Sequence, residues 1–392
     1  MTNLILASIG VFLAVILLLV VILLVAKKYL SPSGKVTVNL NGKKDLETEP
    51  GGTVLGTLAA NDIFLSSACG GKGSCGQCTC QVVEGGGEIL PTEKVHFSRK
   101  QQADHWRLGC QVKVKEDMKV QIPESVLGVK KWECEVVSNN NVATFIKEFV
   151  VKLPAGEHMD FIPGSYAQID IPTFELNYQD FAIDKQFHGD WDKFKMWGLK
   201  CKNDDPTIRA YSMANYPEEG DVIMLNGRIA TPPFDRKNGG FMQVNPGIAS
   251  SYIFNLKPGD KVQMSGPYGD FHPILDTKNE MLYIGGGAGM APLRAHVKRE
   301  IFYEEDFRKL EKEFPNFSFH IALSDPLPDD NWKGSVGFIH QVIHDEYLSK
   351  HDAPEDIEYY MCGPGPMSKA VEKMLWDLGV PRENLLFDDF GG

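Results

Sequence analysis

Residues 69–80 read CGGKGSCGQCTC, and a fourth cysteine, Cys110, follows in LGCQV. Cys69, Cys75 and Cys78 keep the spacing C-x5-C-x2-C. Thiolates that close on a glycine-rich loop can converge on one soft-metal centre. Gly70, Gly71, Gly73 and Gly76 let the backbone take φ > 0 and turn its N–H groups toward cluster sulfurs. A C-x4-C-x2-C spacing with a distant fourth cysteine holds a [2Fe–2S] cluster, and this loop is one residue longer. All-thiolate zinc usually takes two C-x2-C knuckles, and Cys110 has no near partner. A disulfide framework needs an oxidising compartment, to which no cleavage site points. The expected ligands of a [2Fe–2S] cluster are therefore Cys69, Cys75, Cys78 and Cys110. Cys80, Cys134 and Cys201 read as bystanders.

Outward from the loop, VTVNL alternates as a strand and Asn41-Gly42 signals a hairpin. Residues 53–60 predict a short helix capped near Thr53. CTCQVVEG and LGCQVKV read as strands around a charged helical stretch, SRKQQADHW. The loop is similar to the adrenodoxin-like variant, and the order of parts over 36–122 resembles a β-grasp ferredoxin domain.

Upstream, Leu4 to Ala26 carry no charge. Such a run reaches about 35 Å as a helix, enough for a hydrocarbon core. Lys27 and Lys28 follow it at once, which predicts an outside N-terminus and a cytoplasmic body. A cleaved signal peptide is the competing reading. The run is too long for one, lacks a basic start and has no A-x-A site.

Downstream, residues 130–270 predict many short strands with Gly/Pro punctuation, a barrel. ECEVVSNNNVATFIKEFVVKLP reads as two strands around an Asn-rich turn. FIPGSY, RAYS (Arg209 to Ser212), GIAS (Gly247 to Ser250) and SGPYGDF occur in that order. The ordered set resembles the ferredoxin–NADP reductase superfamily. That resemblance implies FAD held by Arg209, Ala210, Tyr211, Ser212, Gly247, Ser250 and Ser251. Arg209 would meet the pyrophosphate, Tyr211 would pack on the flavin ring, and Ser212 would orient the reacting atoms. Residues 174–205 interrupt the motifs as a long aromatic-rich insertion. His188 within it reads as surface.

EMLYIGGGAGMAPLRAH is a strand, a glycine turn (Gly285, Gly286, Gly287, Gly289) and a helix start at Pro292, suited to a dinucleotide pyrophosphate. EYYMCGPGPM resembles the superfamily's CGPxxM element, with Gly365 where Pro is common. By that resemblance Cys362 and Gly363 sit where nicotinamide meets flavin, and Cys362 joins Ser212 as a catalytic candidate. FHIALSD reads as another strand, and Asp325 at its C-terminal end suits ribose hydroxyls and favours NADH. The ending LLFDDFGG offers Phe390 as the aromatic that covers the flavin in relatives.

One stretch departs from the superfamily. LRAHVKREIFYEEDF runs from one helix directly into what resembles the next, with no β-branched apolar run between Pro292 and Phe317. About 16 to 20 residues, a half helix plus a strand, are expected to be absent. Pro292 to Phe314 would then form one long or bent helix, and the sheet would lack a strand beside Gly285.

The net charge of −12, from 40 Lys+Arg against 52 Asp+Glu, and the lack of a basic stripe exclude nucleic-acid binding. The expected architecture is multidomain. It comprises a transmembrane helix at 1–30, a β-grasp α+β ferredoxin at 31–127, an antiparallel β-barrel FAD domain at 128–273, and an α/β Rossmann-like NAD domain at 274–392. This order, with DDFGG, closely resembles the F-subunit family of the Na+-translocating NADH:quinone oxidoreductases. The resemblance implies an NADH-oxidising protein in a bacterial inner membrane, with five partner subunits and quinone as final acceptor. An oxygenase-type flavin/iron–sulfur reductase component and a non-enzymatic electron carrier remain open from the residues alone.

Overall fold

The computed structural model describes residues 2–30, 34–67, 69–235, 237, 239–296, 304–326 and 332–388. It divides into two units. One holds Met1–Ser66 and Gly71–Gly128, the other Ser67–Gly70 and Val129–Gly392.

The first unit begins with helix α1 (Thr2–Leu30). Its described side chains, at 9–22 and 25, stand exposed although almost all are large and apolar. Among the described residues no helix is long and apolar enough to cross a membrane; the longest run of described side chains in α1 ends at residue 22.

A five-stranded sheet follows, in the order β2-β1-β5-β3-β4. Its strands are β1 (Val36–Leu40), β2 (Lys44–Thr48), β3 (Thr79–Glu84), β4 (Trp106–Leu108) and β5 (Met118–Gln121). Only β1 and β5 pair in parallel. Asn41 and Gly42 both take φ > 0, as the hairpin signal requires. Helix α2 (Val54–Ala59) is capped by Thr53, whose Oγ1 accepts from Gly56 N at 3.0 Å. Helices α3 (Pro91–Lys94) and α4 (Arg99–Ala103) lie between β3 and β4. LGCQVKV is not a strand: β4 stops at Leu108, because the chain turns there, with Gln111 N (2.8 Å) and Val112 N (3.2 Å) donating back to Leu108 O.

The second unit opens with a barrel of β6 (Lys130–Ala143), β7 (Ile146–Lys152), β8 (Tyr166–Ile171), β11 (Thr207–Ser212), β12 (Val222–Arg228) and β15 (Lys261–Tyr268). The order is β11-β8-β15-β6-β7-β12, and a bridge from Met213 to Leu225 closes it. The expected turn at the asparagines is displaced: β6 runs through them, and the chain reverses at Thr144 and Phe145. Asn139 is buried because its Nδ2 donates to Ile253 O (2.7 Å) and Leu256 O (2.8 Å). Register shifts along β6 absorb the extra residues.

The insertion forms β9 (Phe174–Asn177), α5 (His188–Lys193) and β10 (Lys200–Asn203), with β9 and β10 antiparallel. Strands β13 (Phe234–Asp235) and β14 (Gly240–Phe241) make a small ribbon ahead of helix α6 (Ile248–Asn255).

The last segment pairs β16 (Met281–Gly285), β19 (Glu358–Cys362) and β20 (Leu385–Asp388) in parallel, order β16-β19-β20. Helices α7 (Met290–His296), α8 (Glu304–Glu313), α9 (Ile339–Glu346) and α10 (Gly365–Asp377) accompany it. Strands β17 (Ala322–Leu323) and β18 (Ser335–Val336) pair separately. Among the described residues β16 is an edge strand. The expected continuous helix from Pro292 crosses 297–303, outside the described residues, as does Phe390.

Candidate functional site

The glycine loop folds as its composition demands. Gly70, Gly71, Gly73 and Gly76 all take φ between +65° and +81°. A Cβ at Gly73 would stand 2.6 Å from Gln111 Nε2, and one at Gly76 would stand 2.6 Å from His96 Nδ1. The loop therefore tolerates glycine alone at these turns. Cys78 and Cys110 are buried, and Cys75 is half-buried. The Cys110 side chain bonds Cys78; that bond and then burial push the Cys78 thiol well above its ordinary range. Cys75 adds to the same shift. Gln111 Nε2 donates to Cys110 Sγ at 3.5 Å. Cys69 is also buried and lies in the stretch Ser67–Gly70 of the second unit.

Among the described residues no group of three His, Cys, Asp or Glu side chains surrounds a common metal position. The donor set is nevertheless soft and buried on a positive-φ loop, which fits an iron–sulfur group. Cys80 is fully buried in the core behind the loop, and burial pushes its thiol up to about 12. Those are properties of an inert packing thiol.

In the second unit β11 carries RAYS. Arg209 Nη1 donates to Thr207 Oγ1 (2.8 Å) and Ile208 O (2.7 Å), which fixes one edge of the guanidinium. Burial pushes the Tyr211 hydroxyl up, against a smaller opposing effect of Arg209. Gln168 faces Ala210 across the ladder, buried, with its Nε2 lacking a partner among the described residues. An orphaned donor beside the RAYS strand fits a bound group rich in acceptors.

Gly247 caps α6. A Cβ there would stand 2.6 Å from the Ala230 Cβ, so only glycine lets the turn approach. The Ser250 hydroxyl accepts from Ala230 N (3.0 Å) and donates to Gly247 O (3.1 Å). The Ser251 hydroxyl bonds Gly247 O (2.8 Å) and the Tyr178 hydroxyl (2.9 Å). Both serine hydroxyls are thus committed inward. What α6 offers an anion is the backbone N–H groups of its first turn.

The two catalytic candidates meet through a residue the sequence reading left unassigned. Ser212 Oγ donates to Asp388 Oδ2 at 2.5 Å. Asp388 is register-paired with Cys362, which is paired in turn with Gly285. The signal was present in LLFDDFGG, but a carboxylate near a chain end has no local feature that points to a serine 176 positions away. A cavity of about 430 Å³ opens beside this group, lined by Tyr166, Gly269, Phe271, Arg382, Phe387 and Asp388.

The glycine turn packs against the end of β19. A Cβ at Gly289 would stand 2.2 Å from Cys362 O, and one at Gly363 would stand 2.3 Å from Met367 Cε. Gly286 N donates to Cys362 O at 3.1 Å. Gly289 thus packs backbone on backbone, Gly285, Gly286 and Gly363 make room for the Met290 and Met367 side chains, and Gly287 alone takes φ > 0 among those of the turn. Asp325 lies exposed just past β17, in the separate two-stranded ribbon, not on the sheet of Gly285. His188 is exposed, as expected, with a ring nitrogen bonding Ile183 O and the ring edge-on to Trp197.

The family model of the 2Fe-2S iron-sulfur cluster binding domain matches residues 38–115, spanning all four cysteines. That of the oxidoreductase NAD-binding domain matches residues 295–373. The F subunit of the Na(+)-translocating NADH-quinone reductase of Pseudomonas aeruginosa is 54% identical, over 98% of each chain. Its Neisseria meningitidis namesake is 51% identical, over 99% of this chain and 100% of its own. The Marinomonas relative, 50% identical, aligns over 414 positions with the whole of both chains. This chain fills 392 of them. Among solved structures, an Amycolatopsis cytochrome P450 reductase shares the fold at TM-score 0.60 and 22% identity, over 91% of this chain and 98% of its own. A ferredoxin reductase of a carbazole 1,9a-dioxygenase does so at 0.56 and 21%, over 91% and 99%.

Proposed function

The chain belongs to the F-subunit family of the Na(+)-translocating NADH-quinone reductases, and from that membership we propose how its residues divide the work. It is an NADH-oxidising electron-transfer subunit with FAD and a [2Fe–2S] cluster as cofactors. The chemistry these groups supply, when bound, is conversion of a two-electron donor's equivalents into single-electron transfers.

Cys69, Cys75, Cys78 and Cys110 hold the cluster. Arg209 and the start of α6 at Gly247, Ser250 and Ser251 meet the FAD pyrophosphate, with the Ser250 N–H as donor, since Gly247 N and Ser251 N are held by Ala230 O and Gly247 O. Ala210 and Tyr211 line the flavin, with Phe390 as its cover. Gly285, Gly286, Gly287, Gly289 and Gly363 let the dinucleotide approach, and Asp325 meets its ribose. Ser212 and Cys362 orient the reacting atoms. The one proton on Ser212 Oγ is committed to Asp388, so this oxygen faces the site as an acceptor. The division into 1–30, 31–127, 128–273 and 274–392 assigns one task to each segment.

The uncharged run Leu4 to Ala26, with exposed apolar side chains at 9–22, supports a single membrane anchor. Lys27 and Lys28 put the N-terminus outside a bacterial inner membrane and the remainder in the cytoplasm. Five other subunits are the partners, and quinone is the final acceptor of the assembly.

The observation that carries this reading is the meeting of Ser212 with Asp388, one strand from Cys362. Ser212→Ala tests it. NADH-driven loss of flavin absorbance in stopped flow should slow at least about tenfold, since orientation alone is worth that much. The EPR signal of the chemically reduced cluster should persist. An unchanged rate would overturn the role given to Ser212.

A further inference from the structure

Residues 174–205 have so far no task, yet they are built as a core. Tyr178, Phe181, Ile183, Trp191, Met196 and Cys201 are buried together with Phe254, which belongs to α6. The Phe181 and Trp191 rings lie 6.1 and 6.3 Å from the Phe254 ring. The insertion therefore packs on the body of the helix whose first turn is assigned to the FAD pyrophosphate.

It also reaches that turn at three points. Tyr178 OH lies 2.9 Å from Ser251 Oγ. Ser251 Oγ has one proton, and Gly247 O accepts it at 2.8 Å. Tyr178 must then be the donor of the buried hydroxyl pair. Cys201 Sγ donates to Pro246 O at 3.8 Å. Lys202 N donates to Asn245 Oδ1 (3.0 Å), and Asn245 Nδ2 donates back to Lys202 O (2.8 Å). Strand β10 thus pins residues 245 and 246 as they enter the helix, and Tyr178 pins its first turn from within.

We propose that the insertion is the positioning element of the FAD pyrophosphate helix, with Tyr178 acting through Ser251 to set the direction of its N-terminal N–H groups. Tyr178 does not touch the cofactor. It completes the bonding of Ser251, which holds the Gly247 carbonyl inward and leaves the first-turn N–H groups aimed outward. This deepens the assignment of Gly247 and α6 to the pyrophosphate and rests on it.

Tyr178→Phe in the full chain keeps the ring in its core and removes only the hydroxyl. The FAD dissociation constant, from fluorescence titration of the apoprotein, should rise roughly three- to tenfold, the worth of one buried neutral hydrogen bond. The ³¹P resonances of the bound FAD pyrophosphate should shift, while the EPR signal of the cluster stays. Ser251→Ala should weaken FAD similarly, and the double variant should be no worse than the stronger single one, because both break one chain of bonds. A lowered melting temperature with unchanged FAD affinity and unchanged ³¹P resonances would reduce Tyr178 to a packing residue and overturn the proposal. So would additive losses in the double variant. Gly247→Ala separates the two layers. If it leaves FAD affinity intact, the assignment of the helix itself fails. If it abolishes binding while Tyr178→Phe changes nothing, only the positioning role fails.

Discussion

The two units bury charge in opposite ways. In the first, Glu93 and Arg107 are both buried and bonded twice, at 3.0 and 2.8 Å. The Glu93 carboxylate also accepts from Leu90 N and Leu108 N, and Arg107 donates to Gly86 O and Gly87 O. Burial would raise the Glu93 pKa, but Arg107 and the two backbone N–H groups hold it below its ordinary value. In the second unit Lys147 is fully buried, and its partners among the described residues are carbonyls, Asn139 O at 3.3 Å and Phe254 O at 3.5 Å, and the Phe254 ring at 5.4 Å. Burial pushes its pKa down to about 8, and the more distant Asp184 opposes this only in part. A buried ion survives as an ion when its lone pairs and protons are all answered; otherwise it is driven toward neutrality.

Breaking the satisfied pair should cost most. Glu93→Ala leaves Arg107 charged and unanswered, and should lower unfolding stability of the first unit by about 3–5 kcal/mol in urea titration. Replacing both residues with Leu and Met should recover most of that loss. If the double variant were as unstable as the single one, the pair would be stabilising in itself.

Lys147 should show its difference in pH rather than in magnitude. Its folded pKa lies below the unfolded value, so the unfolded state holds more protons between about pH 8 and 10.5. Stability of the second unit should therefore rise with pH across that window, by up to about 3 kcal/mol, and carry the full penalty below it. Lys147→Met should flatten the rise. A wild-type protein with no such slope would mean that Lys147 is hydrated.

The exposed pair of Lys35 and Glu47 at 2.6 Å supplies the lower end of the comparison. Lys35→Ala should leave the denaturation midpoint where it is, because water screens both partners. A measurable drop there would show that surface pairing contributes more to this chain than burial suggests.

What the sequence made legible follows the same divide between local and distant. The glycines of the cysteine loop, the Thr53 cap and the Asn41-Gly42 hairpin are decided within a few residues, and each stands as expected. Asn139 was misread as a turn residue because its partners, Ile253 and Leu256, lie 114 and 117 positions away. Asp388 escaped for the same reason, and so did the partnership of Tyr178 with Ser251, 73 positions apart. Ser250 and Ser251 were assigned to phosphate by resemblance, and their hydroxyls are held by Gly247 and, 20 positions away, Ala230, which leaves that role to the backbone of the helix start. The sheet of the last segment was legible strand by strand, but FHIALSD shrank to the two residues of β17, which pair only with β18.

The double grip of Asn139 on the last carbonyls of α6 has a kinetic side. Helix α6 spans only Ile248–Asn255, too short to persist alone in water. Its C-terminal clasp belongs to a hairpin made more than a hundred residues earlier. Closing so long a loop is slow, and the contact rewards the chain only after the closure entropy has been spent. The β6–β7 hairpin must therefore wait, folded, for its helix, and capture of FAD becomes a late event of refolding. Quenching of FAD fluorescence during refolding should lag behind the far-ultraviolet dichroism; simultaneous traces would mean that the helix is clasped from the start.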